Sequence, residues 1–176
     1  MTATIPRPEP SEFAPYYGRY IEQIPERADP IQLLSAQFDV VPAVLLAVPR
    51  GREGFRYAPE KWSIREVVGH LCDAERIFAY RILRIARADA TPLPGFEEKD
   101  YVTHGGFDAR SLGDLTDDWT TARRSTIALA RGLAPEAWER RGTASGHPVS
   151  ARAILYIIIG HVAHHMGILK ERYAVA

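Results

Sequence analysis

The chain has 176 residues, 46% of them hydrophobic, with 22 Lys and Arg against 22 Asp and Glu, so its formal net charge is zero. That length suits one well-buried domain rather than two, and the balanced charge removes the general attraction expected of a nucleic-acid or anionic-membrane binder. The single Cys72 excludes an internal disulfide, and with no basic-then-apolar leader the expected compartment is the cytoplasm.

Residues 1–28 carry Pro6, Pro8, Pro10, Pro15 and Pro25 around the aromatic cluster Phe13, Tyr16, Tyr17 and Tyr20. They predict an arm with a short helix, held over the body by its tyrosines. Asp29 followed by Pro30 is an N-cap and first-turn signal, and the helix it opens runs through IQLLSAQFDVVPAVLLAV until Pro49 and Gly51 stop it, with a kink expected at Pro42. A second helix starts at Ser63, whose spacing to Glu66 is that of a capping box, and runs to about Ala88. Its apolar face is Ile64, Val67, Val68, Leu71, Phe78, Ile82 and Ile85, interrupted by His70 and Asp73.

The stretch DATPLPGFEEKDYVTHGGFD holds too much Pro and Gly to continue that helix. It is longer than an ordinary loop, which favours a covering or functional role, with its aromatic residues in a pocket wall. A third helix opens at Ser111, three residues before Asp114. The loop APEAWERRGTASGHP follows, of which GTASGHPVS has room for a short extended piece, and Ser150 caps a fourth helix to about Tyr173. The run ILYIIIG falls far short of the roughly 20 residues that cross a bilayer, so no membrane span is expected. Four long amphipathic helices predict an all-α, antiparallel four-helix bundle: one domain over 1–176, with long connections after helices two and three.

The chemistry concentrates in GHVAHHMGILKERY. His161 and His165 are four apart, so on a helix they lie one above the other on one face, and that face also carries Ile154, Ile157, Ile158 and Ile168. Unpaired imidazoles on a core-facing stripe are costly, and a shared cation would relieve the cost. A bundle can bring His70 from the second helix to the same centre, giving three nitrogen donors and an open position, the pattern of a catalytic rather than a structural zinc site. On spacing alone, hydrogen-bonded core histidines remain the competing reading.

Other residues carry weaker signals. His164 is less well aimed and flanks the pair. Asp73 has the position of an acceptor that orients an imidazole, or of a surface acid paired with Arg76 or Arg65. Arg172 is either an anion contact at the site rim or a helix-end cation. Glu75 reads as a surface ion-pair partner, Cys72 as packing, and His104 and His147 as solvated loop residues, with proton transfer as their functional alternative. No HExxH, Walker loop or GxGxxG is present, which removes the zinc-protease and nucleotide-enzyme readings.

With WSIREVVGHLCDAERIFAYRILRIARAD, LPGFEEKDYV and GHVAHHMGILKERY together, the chain resembles the DinB-like metal-binding four-helix bundles. It most resembles the branch that includes the bacillithiol transferases, once described as metal-dependent hydrolases. The resemblance implies His70, His161 and His165 as ligands of zinc or nickel, with His164 as a neighbour. It also implies an ion that holds the sulfur of a small thiol and presents the thiolate to an electrophile, a role in detoxification or stress response, and a lean towards a homodimer. Three readings stay open: a thiol S-transferase, a hydrolase activating water at the same position, and a non-catalytic stress-associated metal-binding protein.

Overall fold

The computed structural model describes residues 5–175. Short 3₁₀ turns at Pro10–Glu12 and Pro15–Tyr17 lead into α1 (Gly18–Ile21), followed by α2 (Pro30–Leu46), α3 (Ile64–Ala86), α4 (Glu98–Gly105) and α5 (Leu112–Arg131). A hairpin of β1 (Arg141–Ala144) and β2 (His147–Ser150) then precedes α6 (Ala151–Tyr173).

The caps read from the sequence are the caps observed. Asp29 Oδ1 accepts from the Ile31 and Gln32 amides, Ser111 Oγ from Asp114 and Ser150 Oγ from Ala153. Ser63 and Glu66 exchange both bonds of the capping box, at 3.1 and 2.7 Å. Helix α2 passes through Pro42 without a break and ends at Leu46. One segment expected to be irregular is helical, and the short extended piece allowed for in GTASGHPVS is a full hairpin. EEKDYVTHG forms α4, whose first turn holds the acidic Glu98 and Asp100 that favour a helix N-terminus, and His104 therefore sits on a helix rather than in a loop. RGTASGHPVS forms the hairpin, closed by Ser145 and Gly146, both at positive φ as a two-residue primed turn requires.

Side-chain pairs define how the four long helices sit. Cys72 reaches Leu115, and Arg76 bonds Asp118 while Glu75 meets Arg123, so α3 and α5 are parallel neighbours. Trp62 meets Tyr173 while Phe78 meets His161, so α3 and α6 are antiparallel. Helix α2 runs antiparallel to α5, with Ser35 near Arg131 and Gln37 near Arg123.

The parallel α3/α5 pair explains the long connection between them. The 23 residues of α3 span about 35 Å, and the chain must return that distance before α5 can start. It does so alongside α3, from Leu93, bridged to Ala144, past Glu98 next to His70, to Asp108, which accepts from Ser63 Oγ at 2.5 Å.

Helix α6 is long and apolar enough to cross a membrane by length and composition alone, with a mean hydropathy of 1.3. Here it is the bundle's central element, packed by α3, α2, the arm and the hairpin, which accounts for its being apolar on nearly all sides. The buried apolar residues fall into two clusters. One is built around Ile154–Ile159, Phe78 and Ile82, the other around Leu71, Leu115, Trp119, Val162 and Leu169. Of the buried polar side chains, Glu75, Arg123 and His161 come from the helix turns where one cluster gives way to the other, and His70 and His165 lie within the second.

Candidate metal centre

His70 on α3 and His161 and His165 on α6 converge, with one ring nitrogen from each lying within 4.8 Å of the other two. His70 Nε2 and His161 Nε2 are 3.0 Å apart, and the ring centroids are separated by 4.6 to 4.9 Å. The rings are 2, 5 and 9% exposed. Burial pushes the His70 imidazolium down to about 4 and those of His161 and His165 well below the ordinary value, reinforced by the neighbouring rings and by Arg19. All three are therefore neutral at pH 7, which is the form that binds a cation.

Two of the cluster's neighbours arrive through a glycine. A Cβ on Gly160 would lie 2.0 Å from the Tyr20 carbonyl oxygen, so only glycine there lets α1 lie on α6. Tyr20 then packs edge-on to His161 at 5.3 Å, with Phe78 at 5.9 Å on the same ring. A Cβ on Gly69 would strike the Phe107 ring at 2.2 Å, so Gly69 admits the turn after α4 against α3 beside His70. Trp62 covers His70 at 5.0 Å between centroids.

One carboxylate approaches. Glu98 Oε2, half-exposed at the start of α4, is 4.0 Å from His70 Nε2. Two cavities reach the cluster. One, of about 360 Å³, exposes His70 and His161 beneath Tyr16, Tyr20, Phe96, Glu98 and Ser145. The other, of about 600 Å³, exposes His165 and is walled by Trp62, Lys61, Lys99, Val102 and Tyr173. Helix α4 contributes Glu98 to the first and Lys99, Val102 and Thr103 to the second, so it stands between them.

The donor set fits a divalent ion. Three neutral nitrogens converge with no pair more than 4.8 Å apart, somewhat beyond the roughly 4 Å that two metal–nitrogen bonds can span, so a small inward turn of a ring closes them on one ion, and among the described residues no carboxylate or carbonyl accepts a hydrogen bond from any of the three rings. Among the described residues, the contact between the His70 and His161 nitrogens is their one hydrogen bond.

The remaining candidates lie elsewhere. The charges acting on Asp73 are Arg76, Asp118 and Arg110, and burial raises its carboxyl, so it belongs with that ionic cluster rather than behind an imidazole. His164 is half-buried against Tyr20 and His165, 5.3 Å from each, and flanks the site. Arg172 is exposed in the last turn of α6, two turns or about 10 Å beyond His165, where it serves the helix end and not the site. Cys72 is buried against the Leu115 carbonyl, and burial lifts its thiol to about 12, so it packs and does not react. Glu75 is not a surface residue: it is 2% exposed and pairs with Arg123. Sequence reasoning missed Glu98, Trp62, Tyr20 and Ser145 as site residues. The available signals were the acidic start of EEKDYV and the glycine directly before both His70 and His161.

A family model of the DinB superfamily matches residues 15–169. The chain belongs to that superfamily. Its fold is that of YfiT from Bacillus subtilis, described as a probable metal-dependent hydrolase with an unusual four-helix bundle topology, at a TM-score of 0.73, 16% identity and coverage of 94% of this chain and 95% of that one. A mycothiol-dependent maleylpyruvate isomerase matches at a TM-score of 0.65 and 14% identity over 83% of this DinB-superfamily chain, which spans 61% of the isomerase. A DinB-like protein of B. subtilis, YjoA, matches at 0.56 and 19% identity, covering 81% and 87%. At such identities the likeness is one of fold. No curated protein matches the chain.

Proposed function

We propose that this DinB-superfamily protein holds a divalent metal ion, zinc or nickel, on His70, His161 and His165 and acts as a thiol S-transferase. A low-molecular-weight thiol of the bacillithiol kind would attack an electrophile there, in detoxification or stress response. The observation that carries transfer over hydrolysis is the pair of cavities, of about 360 and 600 Å³, that meet at one histidine cluster from the two sides of α4. A reaction joining two organic molecules needs two such approaches, whereas hydrolysis needs one and a water.

When bound, the ion supplies positive charge that lowers the thiol pKa and favours the reactive thiolate. The chain's own residues do the rest. The neutral imidazoles fix the donor geometry, and Trp62, Phe78 and Tyr20 exclude bulk water from the rings. Glu98 Oε2 is the acceptor for the thiol proton, and its half-exposure lets it pass that proton to solvent. The mycothiol dependence of the isomerase that shares this fold is consistent with a small thiol as co-substrate.

The test is to incubate zinc- or nickel-loaded protein with bacillithiol and a reactive halide and to follow the thioether by mass spectrometry. Conjugation that needs both metal and His161 supports the proposal. Turnover of an ester or amide without thiol would establish the hydrolase reading instead, and metal binding with neither reaction would establish the non-catalytic one.

A further inference from the structure

Arg81, on the second-last turn of α3 and 3% exposed, is a buried cation with no carboxylate partner among the described residues. Its Nη2 donates to the Pro94 carbonyl at 2.8 Å and to Ser145 Oγ at 3.0 Å, while its Nε and Nη1 groups find no acceptor there. The rings of Phe78 and Phe96 lie 5.8 and 5.9 Å from the guanidinium carbon, a weak compensation at the outer limit of cation–π contact. The other deeply buried guanidinium of the chain, Arg123, shows what full compensation looks like. It takes both oxygens of Glu75 and the Gln37 amide oxygen.

Arg81 lines a cavity of about 270 Å³ whose other walls include Ile77, Tyr80, Leu93, Phe96 and Tyr101, with Arg76 at the side. Arg76 is already paired with Asp118. One uncompensated positive charge in an aromatic and aliphatic pocket selects a ligand carrying one negative charge on an apolar body. The pocket shares Phe96 with the cavity over His70 and His161, and Ser145, which holds Arg81, lines that same cavity. Ser145 keeps this place at a φ of 52°, a conformation unusual for a residue with a side chain.

From this we infer that Arg81 is the anchor of a binding site for a small organic monocarboxylate, its apolar body seated between Tyr80, Phe96 and Tyr101 beside the histidine cluster. The site does not depend on a metal ion.

The experiment is calorimetric titration of the full chain, metal-free and zinc-loaded, with benzoate, its neutral counterpart benzamide, and inorganic phosphate. In wild type, benzoate binds one site in both forms, with benzamide and phosphate at least tenfold weaker. Arg81→Gln weakens benzoate at least tenfold, and His165→Ala leaves it unchanged, which separates this site from the metal reading. Because Arg81 also ties Pro94 and Ser145 to α3, wild-type protein labelled with ¹⁵N provides a second readout: the Arg81 Nε–Hε signal moves in step with benzoate saturation. Equal binding of benzoate and benzamide, tighter binding of phosphate, an unmoved Arg81 signal, or no benzoate binding each overturns the assignment.

Discussion

Two of the polar groups that helix α3 buries, His70 and Glu75, sit five residues apart, and the protein treats them in opposite ways. Glu75 meets Arg123 with both oxygens, at 2.9 and 3.0 Å, and Arg123 goes on to Gln37 and the Leu34 carbonyl. Charge and hydrogen bonds close within the chain, so this region needs nothing from outside. Among the described residues, the polar neighbours of His70 are other imidazoles and a half-exposed carboxylate 4.0 Å away. The first arrangement is structural, because its satisfaction is internal. The second is the candidate metal site proposed above, because its ring nitrogens find so few partners in the chain.

Removing one member of each group sharpens that contrast. Arg123→Met leaves the Glu75 carboxylate buried and alone, and should cost about 3–5 kcal/mol of stability by urea unfolding while the folded fraction still binds one equivalent of metal. A small cost there would mean that the pair is not the closed unit described.

The pH dependence of the metal-free protein comes next in size. An unfolded imidazole titrates near 6.5 and His70 near 4, so between those values the unfolded chain binds more protons, and stability falls as pH drops from 6.5 toward 4. The shift of His70 alone corresponds to about 3 kcal/mol, with His161 and His165 adding in the same direction. A further loss below pH 4.5 belongs to Glu12. Burial alone would raise that carboxyl, but bonds from Arg152 and Ser150 outweigh it and hold it at about 2. Unfolding followed by circular dichroism from pH 8 to 4 checks the first loss, and an absence of slope there would contradict neutral buried rings.

Gly160→Ala puts a methyl group against the Tyr20 carbonyl, which the backbone of α1 can relieve only by lifting. The expected cost is about 1–3 kcal/mol, with faster proteolysis of the arm. Smallest is His161→Leu in metal-free protein. Exchanging a ring whose one hydrogen bond is to another imidazole for an apolar side chain should change stability by less than about 1.5 kcal/mol while abolishing the metal site, the opposite of the Arg123 result.

Much of this was legible from the residues. Asp29, Ser63, Ser111 and Ser150 announced the four long helices because caps are local chemistry, and the i, i+4 pair on a core-facing stripe marked the centre. The returning connection was less legible. Proline and glycine in DATPLPGFEEKDYVTHGGFD obscured α4, whose eight residues are held by packing of Val102 and Phe107 more than by propensity. The burial of Glu75 was hidden for the same kind of reason. An acid on a helix is normally solvated, and only the parallel placement of α5, a long-range fact, brings Arg123 to it. Glu98, Trp62 and Tyr20 reach the site through connections whose paths periodicity does not encode.

The central claim, that the three histidines hold a cation, is tested most directly by titrating cobalt(II) into metal-free protein, wild type beside His165→Ala, and following the visible spectrum. The account predicts one stoichiometric site in wild type, lost in the variant, with a new thiolate-to-metal band when bacillithiol is added. Cobalt binding that ignores the His165 substitution, or no binding by a folded wild type, would contradict it and return these imidazoles to the core.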